Sequence, residues 1–246
     1  MPYLIEECLA GKTKEVRRYY SSRYHSKGPK GERIKETTDS GKKENQRIAE
    51  KTLRRLINTN FEGGDLLLTL DFHKWQPLDS IEMQSMISGA IRKLKNLYRK
   101  EGKTLKYIYV KEVGPRGGRH IHMIVNQIDY NILSEWWYDF GAVHFQALDH
   151  SGQYRRIAAY FIKYALRTEQ TEGRLIGKRW YSSLNLKKPI IRKRVVKTAN
   201  EFKTTVKVPA GWFLDKETLA EGVSEITGFI FFEYTLVKNE RGPNDS

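Results

Sequence analysis

Cysteine is almost missing: Cys8 is the single one in 246 residues. That excludes an intrachain disulfide and a thiolate zinc cage, and it makes a reducing cytoplasm the expected location. Long apolar runs are missing too. The longest, Gly228–Phe232 and Leu66–Leu68, fall far short of the roughly 20 residues a membrane span needs, and no signal-peptide pattern opens the sequence. There is no Gly-rich loop ending in Lys-Ser or Lys-Thr, hence no nucleotide-driven motor of the P-loop kind, and no internal repeat. Acidic residues are scarce, 29 Asp and Glu against 44 Lys and Arg, for a formal net charge of +15. Because the basic residues run along the whole length, the expected partner is a polyanion, and nucleic acid is favoured over a membrane surface. Hydrophobic residues make up 39%, enough for a core in part of the chain.

Three regions follow from pattern. Residues 1–60 read as a basic N-terminal extension carrying a helix. It interleaves Arg17, Arg18, Tyr19, Tyr20, Arg23 and Tyr24, a mixture suited to gripping a nucleic-acid backbone or simply to a solvated arm. Ser26 to Lys43 is nearly without apolar residues and is expected to be mobile, and Lys43 to Asn58 reads as an amphipathic helix. Residues 61–172 are more regular. A buried strand is expected from Asp65 to Phe72, and a helix from Asp79 to Arg99 capped by Asp79, with Ile81, Met86, Ile87, Ala90, Leu94 and Leu97 inward. A strand from Leu105 to Val113 follows. Gly114-Pro115-Arg116-Gly117-Gly118 then turns the chain into a second strand, so the two should pair as a hairpin. A helix at Tyr130–Phe140, a strand at Val143–Leu148 and a helix at Gln153–Arg167 complete the order β-α-β-β-α-β plus one helix. That order is the ferredoxin-like split arrangement of an α+β fold: one antiparallel sheet, two helices on one face, the other face free for a site. Residues 173–246 read as a small, basic, β-rich C-terminal lobe. Trp136, Trp137 and Trp212 sit in apolar patterns and are expected in the core.

The second hairpin strand holds Arg119-His120-Ile121-His122-Met123. Alternation sends both imidazoles out of one face, where they can chelate one ion while Ile121 and Met123 pack the other face. A chance His-x-His occurs in about one chain in seven of this composition, so context has to decide. Pairing symmetric about the Gly-rich turn sets Glu112 opposite His120 and Val110 opposite His122. A carboxylate then joins the two imidazoles, and two His with one carboxylate leave positions open on a divalent ion, as a catalytic metal requires. On the later helix, Arg156, Tyr160, Lys163 and Arg167 share a stripe, with Tyr164 one turn beyond Tyr160. A tyrosine hydroxyl titrates near 10, so a nucleophilic tyrosine needs positive neighbours and a polarised electrophile.

Glu112, His120-Ile121-His122 and Tyr160-x-x-Lys163-Tyr164, in that order, resemble the motifs of the HUH endonuclease superfamily as arranged in rolling-circle replication initiators (Rep proteins). The strand Leu66-Leu67-Leu68-Thr69-Leu70-Asp71-Phe72 is similar to the first motif, and the paired tyrosines resemble initiators of small single-stranded DNA phages and bacterial plasmids. Trp180 to Pro189 is similar to a Ser-Arg-Asn-Leu element of these proteins, with Leu184 in the Arg position. The resemblance implies a metal-dependent DNA nicking and joining enzyme in a bacterial host cell. Its metal ligands would be Glu112, His120 and His122 on Mg²⁺ or Mn²⁺, its catalytic residues Tyr160, Tyr164 and Lys163. It further implies single-stranded DNA at a replication origin hairpin as substrate, with host helicase and polymerase as further partners. Two other readings stay open: a tyrosine transposase with the same metal pair, and a non-catalytic nucleic-acid-binding module whose sheet presents Tyr107 and Tyr109.

Overall fold

A computed structural model describes residues 2–21, 24, 38–73, 80–114, 117–171, 178–197 and 202–239. In chain order the elements are β1 (Tyr3–Ala10), β2 (Thr13–Tyr20), α1 (Asp39–Asn60), β3 (Leu66–Asp71), α2 (Ser80–Lys100), β4 (Tyr107–Val113) and β5 (Arg119–Val125). They continue with α3 (Tyr130–Trp137), β6 (Val143–Ala147), α4 (Arg155–Thr171), β7 (Tyr181–Ser182), β8 (Ile190–Val195), β9 (Trp212–Val223) and β10 (Ile230–Lys238). The fold is α+β, with two antiparallel five-stranded sheets among the described residues. Contacts divide the chain into two units: Met1–Thr59, Ser151–Gln153 and Lys188–Ser246 form one, Asn60–His150 and Tyr154–Lys187 the other.

In the second unit the strand order is β6-β3-β5-β4-β7. Alternation along β3, β4 and β5 splits their residues cleanly. Leu66, Leu68, Leu70, Tyr109, Ile121, Met123 and Val125 bury on one face against α2 and α3. Each buried aliphatic side chain of this kind contributes about 1.5–3 kcal/mol. The stripe that α2 buries is Met83, Ile87, Ala90, Leu94 and Tyr98. Ile81, expected inward, is 71% exposed, because the buried stripe is phased on Met83, and Ile81, two residues earlier, falls on the opposite side of the helix. The expected cap, Asp79, and the turn residues Pro115 and Arg116 lie outside the described residues. Trp136 and Trp137 are core residues, and each finds an acceptor for its indole N–H: Ala90 O at 2.8 Å and Asp71 O at 2.9 Å. The opposite face is not empty. It takes α4, clamped where the Thr168 hydroxyl accepts from Val113 N at 3.0 Å and lies 3.2 Å from Lys111 O.

In the first unit the order is β8-β1-β2-β10-β9. The reading of residues 1–60 as an extension with a helix missed β1 and β2, which pair with each other and with C-terminal strands from Ile190 and Ile230 onward. The physical reason is visible in β1: Glu6 stands where alternation asks for an apolar residue, yet it is 4% exposed. Arg55 of α1 bonds Glu6 at 2.8 Å and Glu15 at 2.6 Å, Arg54 bonds Glu15 at 2.7 Å, and Lys193 reaches Glu6 at 3.0 Å. Pairing makes the burial of charge tolerable. Helix α1 begins at Asp39, before the expected Lys43, because the Thr38 hydroxyl accepts from Gly41 N at 3.2 Å and caps it. Of the stretch expected to be mobile, residues 26–37 lie outside the described residues. So does Arg23 of the interleaved arm.

Candidate active site

Hairpin register decides which side chains meet. In β4 and β5, Glu112 stands opposite His120 and Val110 opposite His122, as expected from the turn. On the other side of β5, Asp71 of β3 stands opposite His120 and Thr69 opposite His122, and His144 of β6 stands opposite Thr69. One face therefore gathers Glu112, His120, His122, Thr69, Asp71 and His144.

The bonds within that group run diagonally as well as across. His122 is 3% exposed; its Nε2 lies 2.6 Å from Glu112 Oε2 and its Nδ1 3.2 Å from the Thr69 hydroxyl. Arg167 of α4 holds the second oxygen of Glu112 at 3.0 Å. His120 makes its bond elsewhere: Nδ1 lies 2.7 Å from Asp71 Oδ1, while His144 Nε2 approaches Asp71 Oδ2 at 3.3 Å. Asp71 is itself fixed, its N–H donating to Ala142 O at 2.9 Å and its carbonyl accepting from Trp137. A side chain at Gly141 would lie 2.0 Å from that carbonyl, so only glycine permits the approach.

Helix α4 brings both tyrosines to this face. The Tyr164 ring stacks on His122 at 4.6 Å and 22°, with the Arg167 guanidinium 5.4 Å from its centre. Tyr160 meets His122 edge-on at 5.1 Å and Tyr164 edge-on at 4.2 Å, and stays 37% exposed. An open cleft of about 480 Å³ begins beside it, lined by Leu67, Thr69, His144, Gln146 and Arg156 among others. That volume is in the range of small-molecule sites. Lys163 is exposed and has no partner among the described residues. Glu112, His122, Tyr160 and Tyr164 thus converge, His120 sits alongside on Asp71, and Lys163 takes no part in these contacts.

Charge states follow from burial. Burial pushes the His122 imidazole below its ordinary value, against the opposing pull of Glu112, so the ring is neutral near pH 7. Burial also raises the Tyr160 hydroxyl, and its hydrogen bond with Tyr164 and the negative Glu112 raise it further. The basic stripe of Arg156, Lys163 and Arg167, expected to ease ionisation of Tyr160, does not lower its hydroxyl here, and Arg167 is paired with Glu112.

Two nitrogen donors and a carboxylate are the chemistry of a site for a hard or borderline divalent ion. His120 is arranged for it: with Nδ1–H donated to Asp71, Nε2 keeps its lone pair. His122 is not, since both ring nitrogens are engaged. Among the described residues no three His, Cys, Asp or Glu side chains form a ready cage. The donor types fit an ion once the neutral His122 carries its proton on Nδ1, toward the Thr69 hydroxyl, leaving Nε2 and Glu112 to ligate. Sequence reasoning gave Asp71 and Thr69 no role in the site, read Arg167 as one of the basic residues beside Tyr160 and not as the partner of Glu112, and left His144 unplaced. The first two could have been found by alternation along β3, which puts them on the histidine face.

Residues 65–169 match the family model described as replication-associated protein ORF2/G2P. The match supports a replication-related role. It spans β3 through most of α4, and with them each residue of the cluster. No curated protein and no solved structure matches the chain.

Proposed function

We propose that this chain is a rolling-circle replication initiator of the HUH type, which nicks single-stranded origin DNA through Tyr160 and rejoins strands. The observation that carries this reading is the packing of two tyrosines, one turn apart, on the buried His122–Glu112 pair, within residues similar to replication-associated proteins. The strand order β6-β3-β5-β4 with α2 and α3 on one face supports a ferredoxin-like sheet for the domain.

Tyr160 is the first nucleophile because it is the more exposed ring and borders the cleft. Its oxygen bonds to phosphorus as the bond to the 3′ oxygen breaks, leaving a 5′-phosphotyrosine and a free 3′-hydroxyl. Glu112, His120 and His122 would hold Mg²⁺ or Mn²⁺, which supplies Lewis-acid polarisation of the phosphoryl oxygens. The raised proton affinity of Tyr160 makes that polarisation necessary, since the hydroxyl is not ionised in advance. Arg156 in the cleft and Lys163 on the same stripe of α4 are placed to pair with flanking phosphates. Tyr164, held more tightly, serves as the second nucleophile that reseals the strand. Asp71 orients His120 and fixes its tautomer.

The test is covalent capture. Purified protein, Mn²⁺ and single-stranded oligonucleotides carrying the replicon's origin should give a protein–DNA adduct stable to denaturant. Tyr160→Phe should abolish it. An adduct of unchanged yield in Tyr160→Phe, or none with any origin oligonucleotide, would sink the proposal.

A further inference from the structure

The interleaved Arg and Tyr of the N-terminal segment resolve, once β2 is a strand, into two sets on opposite faces of the first unit's sheet. Arg17 and Tyr19 lie on the face covered by α1. There Arg17 bonds Glu233 at 2.6 Å and Tyr19 donates to the buried Glu6 at 3.3 Å, so both already have carboxylate partners. Arg18 and Tyr20 point the other way. Arg18 lies over the Phe232 ring at 5.5 Å, and its Nε and Nη1 are buried without a hydrogen-bond partner among the described residues.

The neighbouring strands add cations to the same face. In β8 the register puts Lys193 opposite Glu6, on the α1 face, and sends Arg192 and Arg194 to the face of Arg18. Both arginines are exposed, and β8 is an edge strand. They stand about 6.7 Å apart along it. On this face β8, β1 and β2 carry Arg192, Arg194, Lys14 and Arg18 against one carboxylate, Glu7, and Glu7 is bonded to Lys14 at 3.2 Å. Beside the cations is an aromatic group. Tyr20 stacks on Phe229 at 3.8 Å, and Tyr3 meets Tyr20 at 5.7 Å and Phe202 at 4.8 Å. Phe229 is 41% exposed. The next segment adds exposed Lys203 and Lys207.

We infer that this face is a second single-stranded nucleic-acid surface, separate from the tyrosine site: Arg192 and Arg194 hold successive phosphates, and the aromatic group around Phe229 receives a base. An excess of cations over carboxylates beside partly exposed rings is what a single strand requires, since phosphates run along one side of it and unpaired bases along the other. A folded duplex would use the cations and leave the rings idle. The surface lies outside the residues similar to replication-associated proteins and needs no cleavage chemistry, so it stands or falls apart from the proposed function.

The experiment is fluorescence anisotropy of a labelled mixed-sequence 30-nucleotide single strand, with divalent ions chelated, on the full chain and on two variants whose melting curves match it. Arg192→Gln/Arg194→Gln should weaken binding about tenfold and lower the slope of log affinity against log salt by about 1.4, two phosphates' worth. Phe229→Ala should weaken binding about fivefold with the salt slope unchanged. Unaltered affinity in both variants would overturn the inference, as would an affinity loss in the arginine variant without a change of slope. Equal loss on a blunt duplex in Phe229→Ala would overturn the single-strand assignment. Displacement by polyglutamate at equal charge concentration would replace nucleic acid with an acidic polypeptide as the occupant.

Discussion

The two sheets of this chain bury charged side chains to opposite ends. In the first unit, Glu6 and Glu15 are enclosed and every oxygen points at a guanidinium or an ammonium, so the network is closed. In the second, Glu112 and His122 are equally enclosed, but their group runs on through His120, Asp71 and His144 to exposed side chains and a cleft. Burial of charge is therefore no sign of a site by itself. What separates the two is whether the buried carboxylates are saturated by guanidinium and ammonium groups, or share their bonds with an imidazole that packs against two tyrosines beside a cleft.

The largest effect is expected at Tyr160, on the open side. Replacing it with Phe removes one oxygen and little packing, so fold stability should change by no more than about 1 kcal/mol, while covalent adduct formation falls below detection. Tyr164→Phe should still form the first adduct and should fail in strand rejoining. Both follow from denaturing gels of a labelled oligonucleotide. A Tyr160→Phe protein that melts many degrees lower would place the hydroxyl in the fold instead of the chemistry.

On the closed side, Arg55→Ala should cost about 3–5 kcal/mol in a urea titration, because Glu6 and Glu15 would stay buried without their shared partner. Glu112→Gln on the open side should cost about 1–2 kcal/mol, since the amide can still accept a hydrogen bond and Arg167, 37% exposed, turns to water. Adduct yield should follow the reverse order. Equal stability losses would erase the distinction.

Asp71 tests whether the open group is organised around a ligand. Asp71→Asn keeps the shape and removes the charge that fixes His120. If the histidines take a divalent ion, its affinity should drop about 10–100-fold, as read by titration calorimetry with Mn²⁺, and Tm should move by only a few degrees.

Much of the open side is legible in the sequence alone. The hairpin register follows from a Gly-rich turn between two apolar strands, and it puts Glu112, His120 and His122 on one face. The spacing of Tyr160 and Tyr164 follows from helical period. Asp71 escapes because the leucines of its strand dominate the pattern and mask Thr69 and Asp71 between them. The first unit escapes for a deeper reason. Its strands β1 and β2 look polar, and their burial depends on Arg54 and Arg55 from a helix some 40 residues on. Short-range periodicity carries no information about a partner that distant.

The smallest and most gradual effect is in acid. Burial alone would raise the Glu6 carboxyl, but Arg55 and Lys193 outweigh it and hold it at about 2, below the ordinary 4.5. A carboxyl depressed by folding lends stability that is fully present above about pH 4.5 and is lost as pH falls toward 2, because the unfolded chain takes up the proton first. Urea midpoints measured from pH 6 down to pH 2.5 should therefore decline through that window, and Glu6→Gln, though less stable at pH 6, should decline less steeply. Parallel slopes for the two proteins would mean that folding leaves the proton affinity of Glu6 unchanged, and Arg55 and Lys193 would then not be what holds its charge.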